Sequence, residues 1–265
     1  MDQAARPIDD LEPLFEGSEE KSEKMTLTQR YLGILLRIRR RPLRVRLPYG
    51  SKVDGKPITE IPRITSPTVE EVEMSAIEEN YSYARISYDS VAAEYLYEVI
   101  EPKLTEDEMT LLDVLKKALI VSLNLSSDPS SEYRKEVLTK AADKLMLKLG
   151  ISLQPISRER ILYYLRRDFV GYGAINVMMI DPSIEDCSCD GVGIPLYIYH
   201  RKYGSIQTNI VYEDERELDE YVVWLAQKCG KHISVANPLL DATIPDGSRL
   251  NATLGKHVTK RGSSF

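Results

Sequence analysis

Three helical patterns occupy the middle of the chain and limit its fold more than any other feature. The first begins at a capping box, Thr105 followed three residues later by Glu108, and continues with leucines at helical spacing. The second has apolar residues four apart and ends at Gly150, which suits a left-handed C-cap. The third follows Ser157, which can cap it, and closes at Gly171. We expect the first two helices to form one helical subdomain.

Strand patterns lie on both sides of these helices. Paired segments rich in β-formers and joined by turn residues are 83–88 with 94–101, 196–201 with 205–211, and 241–245 with 249–254. One more helix, with a single apolar stripe, ends at Gly230. The pattern predicts an α/β fold of the α+β type. We expect an acidic flexible tail at 1–25, a helical subdomain with a β-hairpin at 26–155, and a small α/β subdomain at 156–265.

Composition limits the partners and the compartment. Hydrophobic residues at 43% and charged residues at 29% are typical of a soluble chain with a substantial core. A net charge of -6 opposes binding to nucleic acid, so no nucleic-acid partner is expected. Three cysteines without a secretory leader indicate a reducing compartment. We therefore expect a cytoplasmic protein with at most peripheral membrane contact.

A basic cluster near the start opposes this acidic average. Six arginines fall within ten residues: Arg37, Arg39, Arg40, Arg41, Arg44 and Arg46. They could bind phosphate groups of lipid or nucleic acid, or they could form a solvated helix end whose carbonyl dipole favours cations. Aromatic residues for base stacking are not interleaved with them. The sequence favours an acidic partner surface, or the chain's own acidic tail, as the target of Arg37, Arg39, Arg40 and Arg41.

The sequence contains no phosphate-binding loop of the form Gly-x4-Gly-Lys-Ser/Thr. The nearest match is Gly255-Lys256, but His257 replaces the hydroxyl residue and Leu250 stands where the first glycine belongs. We therefore expect that this chain does not hydrolyse ATP by itself.

Other catalytic or metal-binding patterns are weak. The residues that could form a zinc site are Cys187, Cys189, Cys229, His200 and His232. A Cys-x-Cys pair is not the usual zinc knuckle, and Cys229 lies on an apolar helix stripe, so structural cysteines are favoured. No Gly-x-Ser-x-Gly elbow is present either. We predict no catalytic residue and no metal ligand.

Four ordered motifs make the C-terminal third specific. They are Asp181-Pro-Ser-Ile-Glu-Asp-Cys-Ser-Cys-Asp-Gly191, Tyr199-His-Arg-Lys-Tyr203, Pro238-Leu-Leu-Asp-Ala-Thr-Ile-Pro-Asp-Gly-Ser-Arg-Leu-Asn-Ala252 and Thr259-Lys-Arg-Gly-Ser-Ser-Phe265. Together they resemble the block that precedes the motor domain in type II/IV secretion-system ATPases, and the archaeal branch fits best. Tyr95-Leu-Tyr-Glu-Val-Ile-Glu-Pro102 is also similar to archaeal members. The resemblance covers residues 81–265.

The resemblance implies a hexameric ATPase of an archaeal pilus or archaellum system. Its N-terminal half would comprise a helical subdomain and a PAS-like α/β subdomain over the nucleotide. ATP and Mg²⁺ would be held by a C-terminal motor domain, with Arg249 and then Arg261 as the arginines that reach the phosphates. A salt bridge at the hairpin edge is the alternative for Arg249. The implied partners are that motor domain, the other subunits and a polytopic membrane platform protein at the inner face of the membrane.

Two other functions stay open. A non-enzymatic cytoplasmic scaffold or adaptor could bind the platform protein through tyrosine-rich faces and the arginine cluster. Alternatively, residues 37–46 could bind anionic lipid at the membrane surface.

Overall fold

The computed structural model describes residues 58–122 and 131–265. The strands are β1 (Val69–Glu78), β2 (Ser82–Asp89), β3 (Glu94–Ile100), β4 (Ile184–Ser188), β5 (Pro195–His200), β6 (Gly204–Val211), β7 (Leu239–Thr243) and β8 (Arg249–Thr253). The α-helices are α1 (Glu106–Ser122), α2 (Ser131–Lys148), α3 (Pro155–Phe169), α4 (Asn176–Ile180) and α5 (Glu215–Lys228). A short 3-10 helix, Gly173–Ile175, precedes α4. The predicted α+β class is confirmed.

Helices α1, α2 and α3 form one compact unit, called here the helical unit. Its described residues are Ile58 and those of 103–170 outside the gap. The capping box is present, since the Thr105 amide donates to Glu108 Oε2 at 2.8 Å and the Glu108 amide donates to Thr105 Oγ1 at 3.2 Å. Gly150 has a φ of 65° and its amide donates to the Leu147 carbonyl, as expected for a left-handed C-cap. Local signals therefore set both boundaries.

In α1 and α3 the core of the helical unit comes from the predicted apolar stripes. In α2 the predicted stripe is wrong: of Tyr133, Val137, Ala141, Leu145 and Leu149 only Ala141 is buried, and the other buried residues are Leu138, Ala142 and Met146. Its most buried side chains are Leu115, Leu119, Leu138, Ala142, Ile161, Leu162 and Leu165. Predicted helix boundaries fail at one point, the start of α3. Ser157 does not cap this helix; Gln154 is the N-cap and Pro155 occupies the first turn. Proline suits that position because its fixed φ is helical and its missing N-H would have no partner there.

The second compact unit, called here the sheet unit, comprises Thr59–Pro102 and Gly171–Phe265. Its six-stranded sheet has the order β1-β2-β3-β6-β5-β4, and β7 and β8 form a separate hairpin. Strands β3 and β6 are parallel, with Leu96 opposite Gln207 and Tyr97 opposite Thr208. The other neighbouring strands are antiparallel. The sheet therefore joins segments that lie on both sides of the helical unit in sequence.

This division differs from the predicted boundaries in two ways. The hairpin of β2 and β3 belongs with the C-terminal strands, because β3 pairs with β6. Helix α3 belongs with α1 and α2, because its apolar stripe completes their core. Strand β1 was not predicted; its glutamates interrupt the apolar alternation that marks a half-buried strand. The proposed tail at 1–25 and the arginine cluster lie outside the described residues.

The core of the sheet unit packs helix α5 and the β7-β8 hairpin with the sheet. Fully buried side chains include Tyr97 on β3, Leu196 on β5 and Leu218 on α5. Asp214 caps α5, with its Oδ1 accepting from the Arg216 and Glu217 amides at 2.7 and 3.2 Å. In the part of the chain that the structure describes, no helix has the length and apolar character needed to cross a membrane.

Candidate functional site

The first of the four motifs is anchored in the core by Asp181. The buried Tyr97 hydroxyl donates to Asp181 Oδ2 at 2.8 Å, and the Ser183 amide donates to Oδ1 at 2.8 Å. Burial raises the pKa of Tyr97, and the negative charge of Asp181 raises it further. Tyr97 therefore stays protonated as a donor. This pair fixes the segment just before β4 against β3, one of the two central strands of the sheet.

The first and last motifs share main-chain hydrogen bonds. The Cys189 amide donates to the Phe265 carbonyl at 2.8 Å, and the Phe265 amide donates back at 3.2 Å. The Thr253 and Ser264 backbones are paired in the same way. Residues 259–265 are therefore held between β8 and the segment after β4.

Arg261 has an exposed side chain on a tightly held backbone. Its carbonyl accepts from the Val192 amide at 3.2 Å. Gly191 allows this approach: it has a φ of 123°, and a Cβ added there would lie 2.6 Å from the Arg261 carbonyl oxygen. The glycine of the Asp-Gly pair at 190–191 is thus required both by its conformation and by its contact. The guanidinium projects from a defined backbone position.

Arg249 is the first residue of β8 and is also exposed. Alternate residues of β7 and β8, such as Leu240 and Leu250, are buried, whereas Asp241 and Arg249 lie on the outer face. One guanidinium nitrogen of Arg249 lies 3.5 Å from an Asp241 carboxylate oxygen, with both side chains more than two-thirds exposed. An ion pair this exposed contributes little to stability, ~0 to 1 kcal/mol. The hairpin-edge salt bridge considered from the sequence is present, but it leaves the guanidinium accessible.

The hairpin does not bring Arg249 and Arg261 to one point. Strand β8 runs from Arg249 to Thr253, a span of roughly 14 Å at the usual rise of a strand. Arg261 follows the far end of that strand, in the segment whose Ser264 pairs with Thr253 and whose Arg261 carbonyl accepts from Val192. The two candidate arginines therefore offer separate cationic positions on the sheet unit.

A buried serine, which sequence reasoning missed, organises the loop between β8 and Arg261. Ser263 is fully buried and its hydroxyl donates to Asp219 Oδ1 at 2.5 Å, while it accepts from the Gly255 amide at 2.8 Å. Lys256 on the same loop pairs with Glu215 at 2.5 Å. Both acidic partners belong to α5. The only sequence signal for this arrangement was the Gly-Ser-Ser run at 262–264, which gives no indication of its long-range partner.

A cleft lies between α5 and this loop, with a volume of about 480 Å³. Its apolar lining comes from Val223, Trp224, Val235 and Leu254, and its acidic lining from Glu215, Asp219 and Glu220. Sequence reasoning did not identify it, because Leu254 is distant from α5 in sequence and no local pattern indicates that the two meet.

Of the residues considered for zinc, the three cysteines pack in or against the core of the sheet unit, and His232 is exposed. Cys189 lies in the core, and burial raises the pKa of the Cys187 thiol to about 12. His200 is buried, and its Nδ1 accepts from the Lys202 amide at 3.1 Å. Within residues 58–122 and 131–265, no group of three or more His, Cys, Asp or Glu side chains is placed to hold a metal ion. Arg37, Arg39, Arg40 and Arg41 lie outside this range.

Comparison with known proteins gives archaeal relatives. No model of a known protein family matches the chain. Uncharacterized protein MJ1288 of Methanocaldococcus jannaschii is 40% identical over 179 residues, which are 66% of this chain and 69% of that protein. Uncharacterized protein MJ0900 of the same organism is 33% identical over 189 residues, 64% of this chain and 34% of that protein. Uncharacterized protein MJ0781 is 34% identical over 93 residues, 35% of this chain and 13% of that protein.

The chain thus spans about a third of MJ0900 and a smaller part of MJ0781, and both relatives contain long regions beyond the match. Its similarity to MJ1288 extends over most of both proteins. The chain belongs to the archaeal protein family that includes MJ1288.

Proposed function

We propose that this chain is the N-terminal coupling and regulatory half of a hexameric secretion-type ATPase of archaea. The full protein would power assembly or secretion of pilus or archaellum subunits from the cytoplasmic side of the membrane. ATP and Mg²⁺ would bind in a motor domain that follows this half. Arginines of the sheet unit would contact the nucleotide phosphates there.

The observation that carries the proposal is the joining of the motif block within the sheet unit. Cys189 of the first motif and Phe265 of the last share two main-chain hydrogen bonds, and Arg261 packs on Gly191. Motifs that are ordered along the chain and also interlock in space are best explained as one functional module. The longer relatives MJ0900 and MJ0781 have room for a motor domain beyond such a module.

The position of Arg249 suits contact with phosphate. The short, two-stranded hairpin is held by buried side chains on one face, so the outer face moves with the core. A guanidinium forms bidentate, charge-assisted hydrogen bonds with phosphate oxygens, which are stronger than its exposed pair with Asp241. A phosphate group can therefore replace Asp241 as the partner of Arg249. Through that exchange, the presence or absence of a nucleotide phosphate would change the contacts of Arg249 in the sheet unit.

The same arrangement of the two arginines would couple movement of the motor domain to this half of the protein. When the motor domain closes on ATP, contacts through Arg249 and Arg261 would move the sheet unit as one body. The exposed surfaces of this half would transmit that movement to a polytopic membrane platform protein. The chain alone should release no phosphate from ATP above a blank reaction.

The test is steady-state ATP hydrolysis by a protein that joins this chain to its motor domain. Arg249→Ala should lower kcat at least about tenfold, because arginine contacts with a transferring phosphoryl group contribute that much or more. Arg201→Ala is the matched control, since Arg201 is also exposed in the sheet unit and also pairs with a carboxylate, that of Glu185 at 3.2 Å. Equal kinetics in the two variants would remove Arg249 from the nucleotide site.

The adaptor function is a second candidate, because the sheet unit exposes tyrosines. Tyr197 and Tyr199 on β5 are 36% and 50% exposed. Such side chains are enriched in protein interfaces. The gene distinguishes the two functions: a Gly-x4-Gly-Lys-Ser/Thr within about thirty codons after Phe265 supports the ATPase, and a stop codon directly after Phe265 supports the adaptor.

A further inference from the structure

The cleft beside α5 has an apolar floor and an acidic rim. Trp224 and Val223 come from α5, while Val235 and Leu254 come from other parts of the sheet unit. Val235 is 70% exposed, and Trp224 is half-buried. The structure therefore leaves a tryptophan and a valine accessible side by side. Burying them against a partner would be favourable, at roughly 25 cal/mol per Å² of apolar surface.

Two of the acidic side chains of the rim and the loop beside them are held in place by contacts within the chain. Ser263 holds Asp219 and the Gly255 amide together, and the Lys256 to Glu215 ion pair connects the loop to α5 a second time. The indole of Trp224 is held by stacking on Tyr221 and by the Lys228 ammonium 4.8 Å from its ring centroid. A site whose walls are already ordered loses little entropy on binding.

The charges on the rim favour a cationic partner. Three carboxylates line the cleft, and the single lysine among its lining residues is already paired with one of them, Glu215. Glu220 is exposed, and no described residue forms an ion pair with it. A phosphate group of a nucleotide or a lipid would meet these carboxylates at a high electrostatic cost. A lysine or arginine would form an ion pair with Glu220.

We propose that this cleft binds a basic amphipathic segment of a partner protein. An apolar anchor of that segment would cover Trp224 and Val235, and a neighbouring lysine or arginine would pair with Glu220. An apolar centre containing tryptophan and surrounded by charges is the arrangement found at protein interaction sites. A volume of about 480 Å³ holds a few side chains of a helix or strand and leaves its backbone outside. The inference does not depend on the proposed role in ATP hydrolysis.

The intrinsic fluorescence of the full chain tests it directly, because Trp224 is the only tryptophan of the sequence. The probe is a synthetic amphipathic peptide of about 15 residues made of leucine and lysine with leucines at helical spacing. We expect a saturable shift of the Trp224 emission. A leucine and glutamate peptide of the same pattern and a serine and lysine peptide of the same charge should each bind at least about tenfold more weakly.

Two variants locate the binding. Glu220→Lys and Val235→Ser should each weaken binding of the leucine and lysine peptide about tenfold or more. Glu213→Lys is the control, because it makes the same charge change at an exposed position outside the cleft, and it should change binding less than about twofold. Circular dichroism checks that the variants are folded. Equal binding of the serine and lysine peptide, equal effects of Glu213→Lys and Glu220→Lys, or no fluorescence shift would each overturn the proposal. Self-association of the chain through this cleft, detected by sedimentation and abolished by Val235→Ser, would also overturn the proposal.

Discussion

The helical unit and the sheet unit depend on contacts at very different separations along the chain. In the helical unit, the capping box joins residues three apart and the C-cap at Gly150 is equally local. In the sheet unit, Tyr97 binds Asp181 across 84 residues, and the Asn209 side chain bonds the Val99 backbone across 110 residues. Closing such long loops costs entropy that the contacts must offset. The sheet unit should therefore be the more sensitive to changes at its few joining points.

The difference also bears on function. Both candidate arginines and the cleft belong to the sheet unit, where distant segments meet. Positions set by several distant segments define a rigid surface, which is what contact with a phosphate or a partner requires.

The largest effect is expected at Gly191. Gly191→Ala places a Cβ 2.6 Å from the Arg261 carbonyl oxygen at a φ of 123°. Backbone strain and overpacking together should lower the free energy of unfolding of the sheet unit by roughly 2 to 6 kcal/mol. Chemical denaturation followed by Trp224 fluorescence measures this loss. Gly193→Ala is the control, because Gly193 also has positive φ but open space around it. If Gly191→Ala lowers the free energy of unfolding no more than Gly193→Ala does, the close approach of Gly191 to Arg261 does not explain the need for a glycine there.

The next effect concerns the core of the helical unit. Leu115 is fully buried, so Leu115→Ala should destabilise this unit by roughly 2 to 5 kcal/mol through lost burial and a cavity. Far-ultraviolet circular dichroism follows the helices and Trp224 fluorescence follows the sheet unit. If the two cores are separately stable, the denaturation midpoint followed by circular dichroism shifts more than the midpoint followed by Trp224 fluorescence. Identical shifts in both signals would show that the units unfold together and would weaken the comparison.

A smaller effect is expected at the capping box. Thr105→Ala removes the hydroxyl that accepts from the Glu108 amide and should lower the stability of the helical unit by about 1 kcal/mol. Thr110→Ala is the control, since Thr110 lies inside α1 and its hydroxyl only bonds back to the Glu106 carbonyl. Denaturation followed by circular dichroism should show no loss for Thr110→Ala. An equal loss in both variants would mean that Thr105 acts only through helix propensity.

The smallest effect is a pH dependence at Glu73. Hydrogen bonds from the Tyr203 hydroxyl and Lys202 lower the pKa of Glu73 in the folded chain. A lowered pKa adds stability above the unfolded pKa, and that stability is lost as pH falls through the folded pKa. Glu73 is substantially exposed, so the contribution should be below about 1 kcal/mol. Tyr203→Phe should flatten the change in stability of the sheet unit between pH 6 and 3, about the range in which carboxylates titrate. If the stability of Tyr203→Phe depends on pH as the unchanged chain does, this contribution of Glu73 is excluded.

Prediction from sequence succeeded where a signal and its structural effect lie close together. The α1 capping box, the Gly150 and Gly230 ends and the Asp246-Gly247 turn between β7 and β8 all involve neighbours within a few residues. It failed for β1, β4 and α4, which it did not predict, and it assigned the β2-β3 hairpin and α3 to units that differ from those of the structure. A strand does not indicate its non-local partner, so the β3 to β6 pairing could not be inferred from either segment.

The same limit applied to the site. Arg249 and Arg261 were singled out from their motifs, and both are exposed in the sheet unit. Their positions depend on the hairpin and on the return of residues 259–265 to Gly191. The contact of Ser263 with Asp219 joins residues 44 apart, and neither the Gly-Ser-Ser run nor another local pattern indicates that contact or the cleft.

The sequence by itself determined the α+β class, the positions of most helices and turns, and the arginines considered for phosphate contact. The class, the helices and the turns follow from side-chain periodicity and from caps and turns, whose hydrogen bonds close within a few residues, whereas the arginines follow from the resemblance of their motifs to a known family. Only the tertiary structure decided which strands share a sheet, which helices share a core, how Arg261 is held and where the acidic cleft lies. Each of those depends on contacts between segments far apart in the chain, and the energy of such contacts depends on packing that no local pattern records.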